Sequence, residues 1–343
     1  MWRVKNLLNL TNNTLYSLPL LILYISDGCN SRCVSCDIWQ NPRRNMPMAL
    51  VDSILETVPE LGVRYILLSG GEAMQHPQWD TIANKFRSAG VHVMLLTNGL
   101  LMRKQIERVT ASVDEVIVSL DGGTAETYEA IRGVDGFHLI LEGMKQVASG
   151  GIPITTRTTV QDANYREMNR IVDVALDNGA STVSFLPVDV SNPEAFGDRD
   201  LEPTEQGISP LAVQDTDALA HIIDELSRTH ADAFASGRIA ESPEKLHRTL
   251  TTYFRALHGD GEFVRPPCNA PHFSTVVEVD GRVRPCYFLP TYGRLHPQGE
   301  RLQQAINWDA ARDLRRAYRM GRRKECTSCV CPLYKSPRQM LSW

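Results

Sequence analysis

Cys29, Cys33 and Cys36 stand in the pattern C-x3-C-x2-C. Three thiolates this close along a chain can occupy three corners of a cubane [4Fe–4S] cluster, leaving the fourth iron without a protein ligand. A small molecule can then chelate that iron. The other occupant such thiolates take is zinc, but a closed zinc site wants a fourth Cys or His nearby, and the nearest histidine along the chain is His76. The run Leu20-Leu-Ile-Leu-Tyr-Ile25 leads directly into the cysteines and reads as a strand. The spacing therefore predicts a metal-binding loop leaving a first strand.

Further polar segments close apolar runs in a fixed order. Ser69-Gly-Gly-Glu72 follows Tyr65–Leu68, Thr97-Asn-Gly99 ends Val91–Leu96, and Ser119-Leu-Asp-Gly122 ends Val116–Val118. Arg157 lies inside Ile154–Val160, and Phe185-Leu-Pro187 ends a sixth run. Each segment alone is ordinary turn chemistry. Their joint order behind the cysteine loop resembles the radical SAM superfamily over at least residues 20–190. The resemblance implies a [4Fe–4S] cluster on Cys29, Cys33 and Cys36 with S-adenosyl-L-methionine (SAM) bound to it. It also implies that Gly70, Gly71 and Glu72 receive the methionyl amine and that Asn98 belongs to the cofactor pocket. Ser119 and Asp121 would contact the ribose, Arg157 the carboxylate, and Leu186 would border the adenine. There is one departure. The family often has an aromatic or bulky residue before the third cysteine, and here it is Ser35.

The elements that must position these residues alternate between strand and helix. Leu50, Val51, Ile54, Leu55, Val58 and Leu61 recur at helical spacing. So do Trp79, Ile82, Ala83 and Phe86, entered through Pro77 as a first-turn residue. Met168, Ile171, Val172, Ala175 and Leu176 form a third stripe, closed by Asn178-Gly179. The intervening apolar runs read as parallel strands buried on both faces. The expected fold class is α/β, a partial (β/α)6 TIM-like barrel with its chemistry at the C-terminal strand ends, followed by a small cysteine-rich β-hairpin/helix extension. The boundaries read as 1–19 for an N-terminal extension, 20–235 for the barrel, 236–265 for a helical linker and 266–343 for the extension. Residues 189–213 are rich in turn formers and leave a strand end facing the reaction centre, so they read as a substrate lid. Asp189, Asp198 and Asp200 within them read as solvated loop charges rather than substrate contacts.

A second cysteine group lies in the extension. Cys268 is followed by 12 residues, Gly281, four residues and Cys286; Cys326-x2-Cys329-x-Cys331 comes later. Phe273–Val279 and Arg282–Tyr287 flank Asp280-Gly281, a hairpin signal that would return Cys286 to the level of Cys268. The first part resembles the C-x9–15-G-x4-C signature of SPASM/twitch extensions of radical SAM enzymes. That resemblance implies an auxiliary [4Fe–4S] cluster on Cys268, Cys286, Cys326 and Cys329, in the shorter twitch form. Four thiolates at this spacing would also suit structural zinc. Of eight cysteines one is then left over, Cys331, although Cys329 and Cys331 could exchange roles. A spare thiol near the substrate could return a hydrogen atom to a carbon radical, which makes Cys331 the catalytic candidate.

The bulk properties exclude other classes. The 343 residues can bury a large core, and a net charge of −4 exerts no overall pull toward nucleic acid. The tract Arg312, Arg315, Arg316, Arg319, Arg322, Arg323 and Lys324 reads as a solvated helix face; with only Tyr318 for stacking it is a poor nucleic-acid surface. No apolar run is long enough for a membrane helix. The stretch Leu18–Ile25 contains Pro19 and lacks a small-residue cleavage site, so it reads as strand, not signal peptide. Cysteines clustered as ligands predict a reducing, cytoplasmic setting.

What the resemblance implies for chemistry is reductive cleavage of SAM to a 5′-deoxyadenosyl radical, which abstracts hydrogen from an unactivated C–H bond. The expected reductant is a flavodoxin- or ferredoxin-type protein. About 19 residues precede the first strand, too few for a peptide-recognition domain, so a small-molecule substrate is expected, a sugar or aminocyclitol. The surplus cysteine tilts the expected outcome toward epimerisation. Dehydrogenation of a secondary alcohol with the auxiliary cluster as electron acceptor, peptide modification, and a non-radical iron–sulfur or zinc binding module are the alternatives.

Overall fold

The computed structural model describes residues 2–192, 195–197 and 208–342. Nine strands form one sheet: β1 (Leu20–Ser26), β2 (Tyr65–Gly70), β3 (His92–Thr97), β4 (Glu115–Ser119), β5 (Ile154–Val160), β6 (Thr182–Pro187), β7 (Ser274–Val277), β8 (Arg282–Arg284) and β9 (Gly293–Arg294). They are ordered β6-β5-β4-β3-β2-β1-β7-β8-β9. The first six are parallel neighbours in sequence order, with helices between them. The sheet does not close on itself, so the architecture is a partial (β/α)6 barrel with an added edge.

The strands follow from their apolar runs, but their two faces differ. Leu21, Leu23, Ile25, Ile66, Leu68, Val93, Leu95, Val116 and Val118 are buried with Trp79, Ile82, Phe86, Ile140 and Ile171 of the crossover helices. The opposite parity in β2 to β5, including Leu67, Met94, Ile117 and Arg157, is only half-buried. Burial on both faces was the expectation from continuous apolar runs. An unclosed barrel leaves its inner face accessible, so alternation appears instead.

Two helix boundaries also differ from the periodic reading. The stripe from Leu50 to Leu61 is divided into Met48–Leu55 and Val58–Leu61. Pro59 has no N–H to give the Leu55 carbonyl, so the first helix ends there. In the next helix, Trp79–Ser88, Gln78 is the cap and Pro77 lies before it rather than in the first turn. The helix Met168–Asp177 stops at Asn178, and Gly179 takes φ +92°.

The C-terminal extension is not a separate layer. Its β7 pairs in parallel with β1, Leu20 opposite Ser274 through Leu23 opposite Val277. The hairpin forms where Asp280-Gly281 predicts, with β7 and β8 antiparallel and Gly281 at φ +86°. Leu20 and Ile22 pack with Phe273, Val276 and Met340, joined by Leu7 and Leu10 of the N-terminal helix Trp2–Thr11. Asn6 Nδ2 donates to the Met340 carbonyl at 3.0 Å in the helix Pro337–Ser342. The two chain ends therefore meet over β1.

The basic tract is not uniformly solvated. In the helix Asp309–Arg319, Arg315 is 1% exposed and donates to the carbonyls of Asn13 (2.5 Å) and Ile306 (2.6 Å). Arg312 and Arg316 pair with Asp309 and Asp313 on the same helix. Asp189 is likewise not a solvated charge: it is buried and accepts from the amides of Ser191 and Asn192, closing its own turn. Asp198, Asp200 and residues 198–207 of the expected lid lie outside the described residues. No helix among the described residues is long and apolar enough to cross a membrane.

Phe273 is fully buried at the junction of extension and barrel. Phe273→Ala should cost about 3–5 kcal/mol, read as a lowered denaturant midpoint.

Candidate functional site

The cysteine loop leaves β1 at the C-terminal end of the sheet and is held by its neighbours' backbones. Gly71 N donates to Ser26 O and Glu72 N to Gly28 O, both at 2.8 Å. On the other side Arg32 N donates to Arg132 O at 2.9 Å and Val34 N to Ile131 O at 3.0 Å, at the end of the helix Ala125–Arg132. Asp37 N reaches Phe196 O at 2.8 Å. This approach needs glycine. Gly70 has φ +134°, and a Cβ there would stand 2.2 Å from the Ser26 carbonyl oxygen; on Gly71 it would stand 2.6 Å from that of Gly28. The glycine pair thus has a packing requirement at the loop whatever it contacts in a ligand.

Glu72 is 1% exposed and its side chain braces the ends of β2 and β3. Its carboxylate accepts from Met74 N (3.0 Å), Thr97 Oγ1 (2.9 Å) and Asn98 N (2.7 Å). Burial raises its carboxyl above the ordinary range, while those donors pull it back. Asn98 Nδ2 in turn donates to Asn30 Oδ1 at 2.8 Å and approaches Cys29 Sγ at 3.8 Å. The expected cofactor residues Glu72 and Asn98 are therefore tied into the cysteine loop itself.

Burial raises all three thiols, Cys36 to about 12, and each lies within the electrostatic reach of another. Among the described residues no three His, Cys, Asp or Glu groups close on one point as a single ion requires. Tetrahedral zinc draws its sulfurs to about 2.3 Å from one centre. A cubane gives each thiolate a separate iron, so three thiols gathered on one loop fit three of its corners. Displacing the thiol protons by metal removes the burial penalty that raises them.

The remaining expected cofactor residues lie along the adjoining strand ends. Ser119 and Arg157 are register partners, as are Thr159 and Leu186 one step further up. Ser119, Arg157 and Leu186 are half-buried. Arg157 Nε is buried without a hydrogen-bond partner, as is that of Arg132. Asp121 is also tied into the protein: Oδ1 accepts from Thr159 N (2.7 Å) and Oδ2 from Arg132 Nη1 (2.9 Å).

In the extension, Cys268, Cys286, Cys326, Cys329 and Cys331 all line one cavity beside Tyr318. Burial pushes Cys286 up to about 12 and Cys326 up to about 11, and raises Cys268 and Cys329 as well. Five thiols therefore share the space where the spacing called for four.

Three participants escaped the sequence reading. Tyr24 and Tyr287 pack with ring centroids 5.4 Å apart. Cys36 lies within electrostatic reach of Tyr24; Ser69, Cys331 and Arg157 surround Tyr287, so the pair stands between the two cysteine groups. The inward parity of Leu20, Ile22 and Tyr24, and the position of Tyr287 next to Cys286, were the available signals. The third is Arg132, whose guanidinium is buried beside Cys33 and Asp121. Nothing local marks it out from any other helix-terminal arginine.

Residues 23–175 match the sequence model described as the Radical SAM superfamily. The chain is similar to the AdoMet-dependent heme synthase of Methanosarcina barkeri (strain Fusaro / DSM 804), 32% identical over 169 residues covering 47% of this chain and 48% of that protein. It is also similar to the PqqA peptide cyclase of Streptomyces rochei, 26% identical over 185 residues, 52% of this chain and 49% of the relative. The chain thus spans about half the length of these two curated relatives. Among solved structures, Streptococcus suis SuiB bound to S-adenosylmethionine superposes with TM-score 0.66 at 15% identity, covering 98% of this chain and 79% of that one. Native anSMEcpe with bound AdoMet gives 0.63 at 16%, with coverages of 91% and 89%. At these identities the likeness is one of fold.

Glu72→Gln would set an amide NH2 against backbone and hydroxyl donors. A loss of about 1–3 kcal/mol is expected in chemical denaturation, with weaker iron retention after reconstitution. Gly70→Ala should be worse, because the clash is with backbone that no side-chain rotation relieves; soluble yield and iron content should both fall.

Proposed function

The chain carries a domain of the radical SAM superfamily, and from that premise we propose an enzyme that abstracts hydrogen from a C–H bond of a small polar substrate, a sugar or aminocyclitol, and inverts the carbon. The observations that support the radical part are the half-buried thiol triad on the loop leaving β1 and, on β5, the buried Nε of Arg157 without a hydrogen-bond partner. The family's cofactors are a [4Fe–4S] cluster and SAM. Cys29, Cys33 and Cys36 would hold the cluster, and Arg157 would pair with the SAM carboxylate. When bound, this pair supplies a 5′-deoxyadenosyl radical from one electron and SAM.

The chain's own residues then position and protect. Met94, Leu96 and Ile117 give the inner face an apolar surface without competing S–H or O–H hydrogen. Ser119 and Arg157 would supply the polar contacts beside it, and Leu186 the adenine border. In the extension, Cys268, Cys286, Cys326 and Cys329 would hold an auxiliary [4Fe–4S] cluster in a twitch-type unit. Cys331 Sγ–H would break to form the new C–H bond on the opposite face of the substrate carbon. The electron that restores the thiol would come from the flavodoxin- or ferredoxin-type reductant and the proton from solvent. A reducing cytoplasm is the compartment that such thiols require.

A second reading is favoured by names among the comparisons. One relative is a peptide cyclase, and Streptococcus suis SuiB is also known bound to its precursor peptide SuiA, with TM-score 0.64 and 15% identity. On that reading the inner face would take a peptide segment instead of a sugar.

Two measurements test this. Anaerobically reconstituted protein with dithionite should release 5′-deoxyadenosine from SAM, and the Cys29/Cys33/Cys36→Ala triple variant should release none while keeping about four irons on the second cysteine group. In deuterated solvent the epimerised product should carry one deuterium at the inverted carbon, and Cys331→Ala should abolish it. A two-electron-oxidised product without deuterium would replace inversion by dehydrogenation.

A further inference from the structure

The helix Ala125–Arg132 ends against the cysteine loop, and its last residue does more than cap it. Its carbonyl binds Arg32 N, next to Cys33 in the loop, and Gly133 follows at φ +65°, where a Cβ would meet Arg32 O at 2.5 Å. The Arg132 side chain is 12% exposed and that of Asp121 3%. Nη1 meets Asp121 Oδ2 at 2.9 Å, while Nε is buried with no partner. One carboxylate therefore satisfies only part of this guanidinium. Glu72 is also within its electrostatic reach, as are Cys33 and Cys29, which become negative once a metal displaces their protons. Burying a cation with a single counter-ion is costly unless further negative charge completes it.

We propose that Arg132 is a positioning residue for electron entry, a buried cation that with Asp121 sets how readily the cluster on Cys29, Cys33 and Cys36 accepts its electron. This rests on that cluster assignment. Adding one electron puts one more negative charge on the cluster, inside a low-dielectric pocket where a nearby cation is felt strongly. Arg132 favours the reduced state and Asp121 opposes it. Removing either partner leaves the other uncompensated, so the two deletions act in opposite directions, which a purely structural ion pair does not produce.

The test is a redox titration of the reconstituted full chain followed by electron paramagnetic resonance, with and without SAM. The signal that changes on adding SAM reports the N-terminal cluster. Arg132→Gln should lower its one-electron reduction constant at least tenfold, about 59 mV to the negative. Asp121→Asn should move it severalfold the other way, and Arg132→Lys should stay within about threefold of the parent because the charge is kept. If Arg132→Gln loses its iron, the opposite shift in Asp121→Asn and the near-parent value of Arg132→Lys still decide. Unchanged potentials, or shifts of the same sign in Arg132→Gln and Asp121→Asn, would overturn the proposal. Absence of any SAM-responsive signal would overturn the cluster assignment with it.

Discussion

Everything in this protein depends on how closely the backbone at the end of β2 approaches the loop leaving β1. Gly70 and Gly71 lie so near the Ser26 and Gly28 carbonyls that no side chain fits between. The two hydrogen bonds made across this contact fix the start of the loop that carries the three cysteines. A loop held by backbone on both flanks can keep three thiols together without another side chain capping the site. That leaves the inner face of the sheet open for a ligand.

The cost of this arrangement is buried charge, and the fold distributes it. Glu72 is surrounded by three donors from two strand ends, and Asp121 is shared between Thr159 and Arg132. Arg157 and Arg132 differ from these carboxylates, each with a buried Nε still unpaired. Fully satisfied groups stiffen the site, whereas an orphaned one points to what the site is shaped to receive. The same criterion distinguishes residues that build the pocket from those available to a ligand.

The extension is part of this same system. Because β7 adds to β1, the second cysteine group is carried to the strand beside the first. Tyr24 from β1 and Tyr287 beside Cys286 fill the space between them. Separate domains joined by a linker would allow the two groups to shift relative to one another. One continuous sheet, sealed by Phe273 and the two chain ends, holds their spacing.

The strand–helix alternation, the two cysteine groups, the glycine pair and the Asp280-Gly281 hairpin were all legible along the chain, because local spacing and turn chemistry carry them. The break at Pro59 was also written there and was obscured by the apolar stripe running through it. Other features had no local signature. The burial of Arg315, the partners that occupy Asp121, the pairing of β7 with β1 and the Tyr24–Tyr287 contact join residues far apart in sequence. Sequence alone determined which chemistry the thiols can host, since ligand type and spacing are properties of a short segment. Only the tertiary structure decided which charged side chains are already paired and which still await a ligand, because that depends on what long-range packing brings within hydrogen-bond distance.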